Sequence, residues 1–214
     1  MSDLDLRERQ ELCDLFDQLG PDAPTLCEGW TTADLAAHLA IREHDPLAAP
    51  GVLLEGRLGP VGDKLAGVTH SHMERELERG YEAVVERVRT GPPPPLSFAP
   101  IRSRMSFGEF LIHHEDVRRA NGQAPRRDRP DLDAQVWKLL KPMARLLLRK
   151  AKPVGVVLRT DKGQESAATK GAHQVVVSGT PVELLLFCYG RPSEVTLEGP
   201  DEAVAALRAT SLGI

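Results

Sequence analysis

The 214 residues carry 27 basic and 31 acidic side chains, for a formal net charge of −4, with 41% hydrophobic and 27% charged residues. That is the balance of a folded chain with room for one full-sized domain, or for a medium and a small one. There is no basic surplus, aromatic residues are 4% of the chain, and no apolar run reaches the roughly 18 residues a membrane span needs, so neither a nucleic-acid nor a membrane partner is expected.

The N-terminal run MSDLDLRERQELCDLF lacks the apolar core of a signal peptide. Cys13, Cys27 and Cys188 are scattered without a C-x-x-C pair. They read as buried small hydrophobes in a reducing compartment, and a cytoplasmic location is expected. Leu12, Leu15, Phe16 and Leu19 recur at helical spacing until Gly20-Pro21 ends the run. After the loop PDAPTLCEGW, the segment TTADLAAHLAIREHD predicts a second helix. Thr31 or Thr32 would cap it, Asp34 suits its first turn, and Pro46 and Pro50 close it.

Residues 51–66 are glycine-rich and ambiguous. A third helix is predicted from His70 to Arg89, with Met73, Leu77, Tyr81, Val84, Val85 and Val88 as its apolar stripe. GPPPPLSFAP then forms an extended spacer. SFGEFLIHHEDVRRA follows as a helix from Ser106, capped by a Ser106-x-x-Glu109 box and ended by Asn121-Gly122. A further helix, AQVWKLLKPMARLLLRK, is expected to kink at Pro142. Beyond Pro153 the texture changes: VGVVLRT, HQVVVSG and SEVTLEG read as strands, PVELLLFCYG as a short helix and DEAVAALRATSLGI as a terminal one. The expected class is α+β: a helical bundle over residues 1–150 and a small α+β domain over 151–214.

The histidines carry the chemistry. Glu109 and His113 stand four apart, roughly 40° from each other around a helix, so both side chains can grip one ion. Phe107, Phe110, Leu111 and Val117 make that face apolar, and a carboxylate buried beside an imidazole is costly unless paired or bound to metal. His38, within DLAAHLA, is the other histidine in a strongly apolar helix. Alone it would read as a core residue. With Glu109 and His113 it completes a two-histidine, one-carboxylate set that leaves coordination positions open, as catalytic zinc sites do. His114 lies about 100° from His113 and is not expected to reach the same ion. Asp116 is expected to orient a ligand or pair with Arg118 or Arg119, and Glu115 to form a solvated salt bridge. His44, His70, His72 and His173 read as exposed.

CEGWTTADLAAHLAIRE, with Trp30 and His38, resembles the opening helix motif of the mycothiol-dependent maleylpyruvate isomerase family, within the DinB-like metalloenzymes. GEFLIHHEDVRRA resembles that family's last bundle helix, and VVVSGTPVELLLFCYGR its small C-terminal domain. The resemblance implies a DinB-like four-helix bundle holding a divalent ion on His38, Glu109 and His113, zinc in the first place, with nickel or iron(II) also compatible. It implies mycothiol as co-substrate, activated for S-transfer or for thiol-assisted isomerisation of a small electrophile, which makes the chain a candidate transferase or isomerase. Arg42, Arg118 and Arg119 are then expected to hold a substrate carboxylate or the thiol's polar arms. The alternative is a non-catalytic metal- or ligand-binding protein with the same site. A third reading gives the C-terminal region, through PVELLLFCYG, a carrier or dimerisation role, so a homodimer stays open. No G-x-G-x-x-G, P-loop, G-x-S-x-G or H-E-x-x-H motif occurs.

Overall fold

The computed structural model describes residues 4–45, 60–94, 97 and 99–213. It is α+β: helices α1 (Leu4–Leu19), α2 (Thr32–His44), α3 (Pro60–Leu77), α4 (Tyr81–Thr90) and α5 (Ala99–Ala120) are followed by α6 (Pro130–Leu147), strands β1 (Gly155–Thr160), β2 (Glu165–Thr169) and β3 (Gln174–Gly179), α7 (Pro181–Cys188), β4 (Thr196–Glu198) and α8 (Asp201–Ala209). Two compact units divide at Pro125 and Arg126, so α6 belongs with the sheet rather than with the preceding helices.

In the first unit α1 packs along α5 and α4, and α2 along α3 and α4. Thr31 is the cap of α2. Its hydroxyl accepts from the Asp34 N–H, and the Asp34 carboxylate accepts from the Thr31 N–H at 2.9 Å, a reciprocal capping box. Ala36, Ala37 and Ala40 are fully buried, and their small side chains let neighbouring backbones come close; Leu12, Phe16, Leu35, Val84, Val88, Phe110 and Val117 fill the rest of the core.

The apolar stripe expected over 70–89 is real but belongs to two helices, because Gly80 (φ 87°) adopts a conformation that side chains resist. Residues 60–66 are helical; 46–59, with Pro46 and Pro50, lie outside the described residues, as do 95, 96 and 98 of the proline spacer. A second correction concerns Ser106. Helix α5 starts at Ala99, with Pro100 in a first turn where a missing N–H costs nothing, so Ser106 and Glu109 lie in mid-helix rather than at its start. The predicted C-terminus is found: Gly122 (φ 72°) lets the N–H groups of Gly122 and Gln123 bond the carbonyls of Arg119 and Arg118.

The four helices α1, α2, α4 and α5 of this unit meet at one buried cation. Arg9, 3% exposed, reaches both carboxylate oxygens of Glu43 (2.5 and 2.6 Å), donates to the Val88 carbonyl and lies 4.2 Å over the Phe110 ring. Bidentate, desolvated pairs of this kind lock geometry because removing either partner leaves a buried charge uncompensated.

In the second unit the sheet order is β2-β1-β3-β4, with β1 and β3 parallel and the outer pairs antiparallel. The central strands are the valine-rich runs foreseen from sequence. Strand β2, ESAAT, is not legible in the sequence: it is an edge strand of mostly weak β-formers, exposed at Glu165 and Ala167 and buried at Ala168 and Thr169. Helix α6 runs through Pro142, which is exposed, so the carbonyl it leaves without a partner on the helix can face water. The helix packs on α7 and β2.

Candidate metal centre

His38 projects from the middle of α2, and Glu109 and His113 from successive turns of α5. Their ligand atoms lie within 4.8 Å of one another. His38 Nε2 is 3.7 Å from Glu109 Oε1, and the two imidazoles meet edge to face with centroids 5.5 Å apart. The Trp30 ring lies tilted against His38, with centroids 4.9 Å apart. His38 is 6% exposed, while Glu109 and His113 are half-buried, so the set sits at the rim of an apolar core. The second oxygen of Glu109 is bound by Arg42. The carboxylate thus divides its faces between a guanidinium and the two histidines. Two neutral nitrogen donors and one carboxylate oxygen are the donor set of a borderline divalent ion.

His113 has further partners. Its Nδ1 lies 3.2 Å from Asp116 Oδ2 and 3.8 Å from Cys27 Sγ, and the Cys27 thiol donates to the same Asp116 oxygen at 3.4 Å. Burial works against protonation of His113. The hydrogen bonds to Asp116 and Cys27 outweigh it, so the imidazolium is held up to about pKa 9 without an ion present. With Nδ1 turned to Asp116, Nε2 is the nitrogen left for an ion, the usual carboxylate–histidine–metal arrangement. Asp116 is fully buried. Its contact with the His113 ring is the geometry that one of the two expectations from sequence requires. Cys27, expected to be a bland buried hydrophobe, instead faces the site from the loop before α2. Its partners lie 86 and 89 residues away, and only its place in CEGW, three residues before Trp30, hinted at them.

Other expectations are corrected. Glu115 is not a solvated pair: it is fully buried, 2.9 Å from Arg119 and 3.5 Å from Arg118. Arg118 also donates to Gln123 Oε1 and the Ala124 carbonyl. His114, 3% exposed, stays out of the trio, as its place on the helix predicts, and bonds the buried Glu8 at 3.1 Å. His44 and His72 are half-buried rather than exposed. His44 lies 3.2 Å from the Arg87 carbonyl, with its pKa lowered by burial and by the Arg87 charge, and His72 bonds Asp45. His70 and His173 are exposed as expected.

Fold and site together define an α+β protein whose helical unit gathers a two-histidine, one-carboxylate set beside a tryptophan. Residues 6–118, which contain all of these groups, match the mycothiol maleylpyruvate isomerase N-terminal domain, and the chain belongs to that family. Its fold is similar to the crystal structure of the mycothiol-dependent maleylpyruvate isomerase, at a TM-score of 0.60 with 19% identity over 91% of this chain and 90% of that one. A histidine-to-alanine variant of that isomerase is similar at a TM-score of 0.59 with 18% identity over the same shares. No curated protein matches the chain. Among the described residues no helix is long and apolar enough to cross a membrane.

Proposed function

We propose that the chain is a divalent-metal enzyme that activates a low-molecular-weight thiol, mycothiol, for S-transfer to a small electrophile or for its thiol-assisted isomerisation. The observation that carries this reading is the convergence of His38, Glu109 and His113 within 4.8 Å from two helices; the family and the names of the similar structures direct it towards a thiol. A divalent ion on these three residues would supply the Lewis acidity that favours a thiolate over a thiol near neutral pH. The chain's own residues do the rest. Asp116 fixes the His113 ring by accepting its Nδ1 proton, Arg42 anchors Glu109, and Trp30 walls off His38 from water. Arg42, Arg118 and Arg119 are proposed to hold the anionic arms of the thiol or substrate; of the three, Arg42 touches the trio.

Metal analysis of the purified protein with His38→Ala and His113→Ala tests the centre: loss of one equivalent in both variants supports it, and full retention in His38→Ala rejects it. Metal-dependent consumption of mycothiol with a panel of small electrophiles then separates an enzyme from a protein that only binds metal.

A further inference from the structure

The ring of His113 has two nitrogens, and the second is also surrounded by ligand atoms. Cys27 Sγ, His113 Nδ1 and Asp116 Oδ2 form a triangle with sides of 3.8, 3.4 and 3.2 Å. Zinc-type bond lengths of about 2.3 Å to sulfur and about 2.0–2.1 Å to nitrogen or oxygen, at tetrahedral angles, require ligand separations of roughly 3.6 Å for sulfur pairs and roughly 3.4 Å for the nitrogen–oxygen pair. Each side of the triangle falls close to its expected length. A cation can therefore be received without moving the backbone.

The loop that carries Cys27 is also held in place. The Leu26 N–H bonds the Asp116 carbonyl at 3.3 Å, Asn121 Nδ2 bonds the Pro24 carbonyl at 3.0 Å, and Thr25 Oγ1 ties the turn by accepting from the Cys27 N–H at 3.1 Å and donating to the Trp30 carbonyl at 2.9 Å. The thiol is pinned against α5 from both sides of the turn, and preorganised ligands lose little entropy on binding. Cys27 is half-buried, which leaves an approach for an ion.

We propose that Cys27, His113 and Asp116 form a second metal site, selective for thiophilic divalent cations such as cadmium or zinc and sharing His113 with the His38 set. Sulfur, nitrogen and a carboxylate oxygen give the softer donor set of the two, so cadmium favours this site over the His38 set. Binding replaces the thiol proton with the cation and takes Nδ1 as a lone-pair donor. The Nδ1 proton moves to Nε2 or to solvent; when it moves to Nε2, an ion here ties the His113 ring to Cys27 and Asp116 and takes Nε2 away as a donor to the His38 set. The site is thus placed to let excess thiophilic metal inhibit whatever chemistry the His38 set performs.

Cadmium titration of the full chain, followed by ultraviolet absorption, tests the assignment. Cys13 and Cys188 are fully buried, with thiols pushed up by burial, Cys13 to about 12, so they stay silent. The expected result is one thiolate-to-cadmium charge-transfer band saturating at one equivalent, absent in Cys27→Ser, weakened at least about tenfold in affinity in Asp116→Asn, and kept in His38→Ala. No band in the wild type, or an unchanged band in Cys27→Ser, overturns the proposal. Retention in His38→Ala separates this site from the His38 set: that set can fail its own metal test while the Cys27 band persists, and the reverse.

Discussion

The two units bury different kinds of side chain. The helical unit hides Asp5, Glu8, Arg9, Glu43, Glu76, His114, Glu115 and Asp116 together with His38, whereas the sheet unit buries Glu183, Thr160 and Thr169 among its valines and leucines. A small domain that needs only stability uses apolar burial; interior charge is expensive, and is kept where it fixes geometry or performs chemistry. The helical unit is therefore where position matters most. Its buried ions are also its weak points.

The largest expected effect follows from that contrast. Arg9→Ala leaves Glu43 buried without its cation and should cost about 3–5 kcal/mol, while Arg9→Met combined with Glu43→Leu should recover most of the loss. In the sheet unit Leu158→Ala should cost a comparable amount, about 2–5 kcal/mol, through a cavity alone. Denaturant titrations read by Trp30 fluorescence, in a Trp137→Phe background, follow the first case; Trp137 follows the second. Equal tolerance of Arg9→Ala and the double substitution would remove the distinction between the units.

Next in size is the pH response. Without metal, His113 in the folded unit holds its proton up to about 9 against an ordinary value of 6.5. The raised pKa contributes stability that is complete below about 6.5 and is lost as pH rises through about 9. Chelated protein should therefore lose stability over that window by the Trp30 signal, with His113→Gln flattening the slope and Trp137 reporting no matching change. The same proton competes with a metal, so metal affinity should climb over the same window. The smallest effect is expected at Gly122, whose positive φ ends α5: Gly122→Ala should cost about 1 kcal/mol without changing metal content.

Much of this arrangement could be read before folding. His38 declared itself by its apolar flanks, Glu109 and His113 by their four-residue spacing, and the central strands by their valine runs. Strand β2 was hidden because ESAAT has neither β-branched density nor alternation, and its pairing comes from the neighbour. The start of α5 is not legible because a serine followed three residues later by glutamate looks the same at a cap and in mid-helix.

Local sequence determined which residues can be ligands and which helix faces they share, because helical spacing is fixed by the backbone. It could not determine that Cys27 meets His113, that Arg9 meets Glu43 and Phe110, or that Glu115 is sealed from water. Those are contacts between elements distant in the chain. They depend on how closely the alanine-rich face of α2 and the face of α1 pack against their neighbours, and only the tertiary structure sets that.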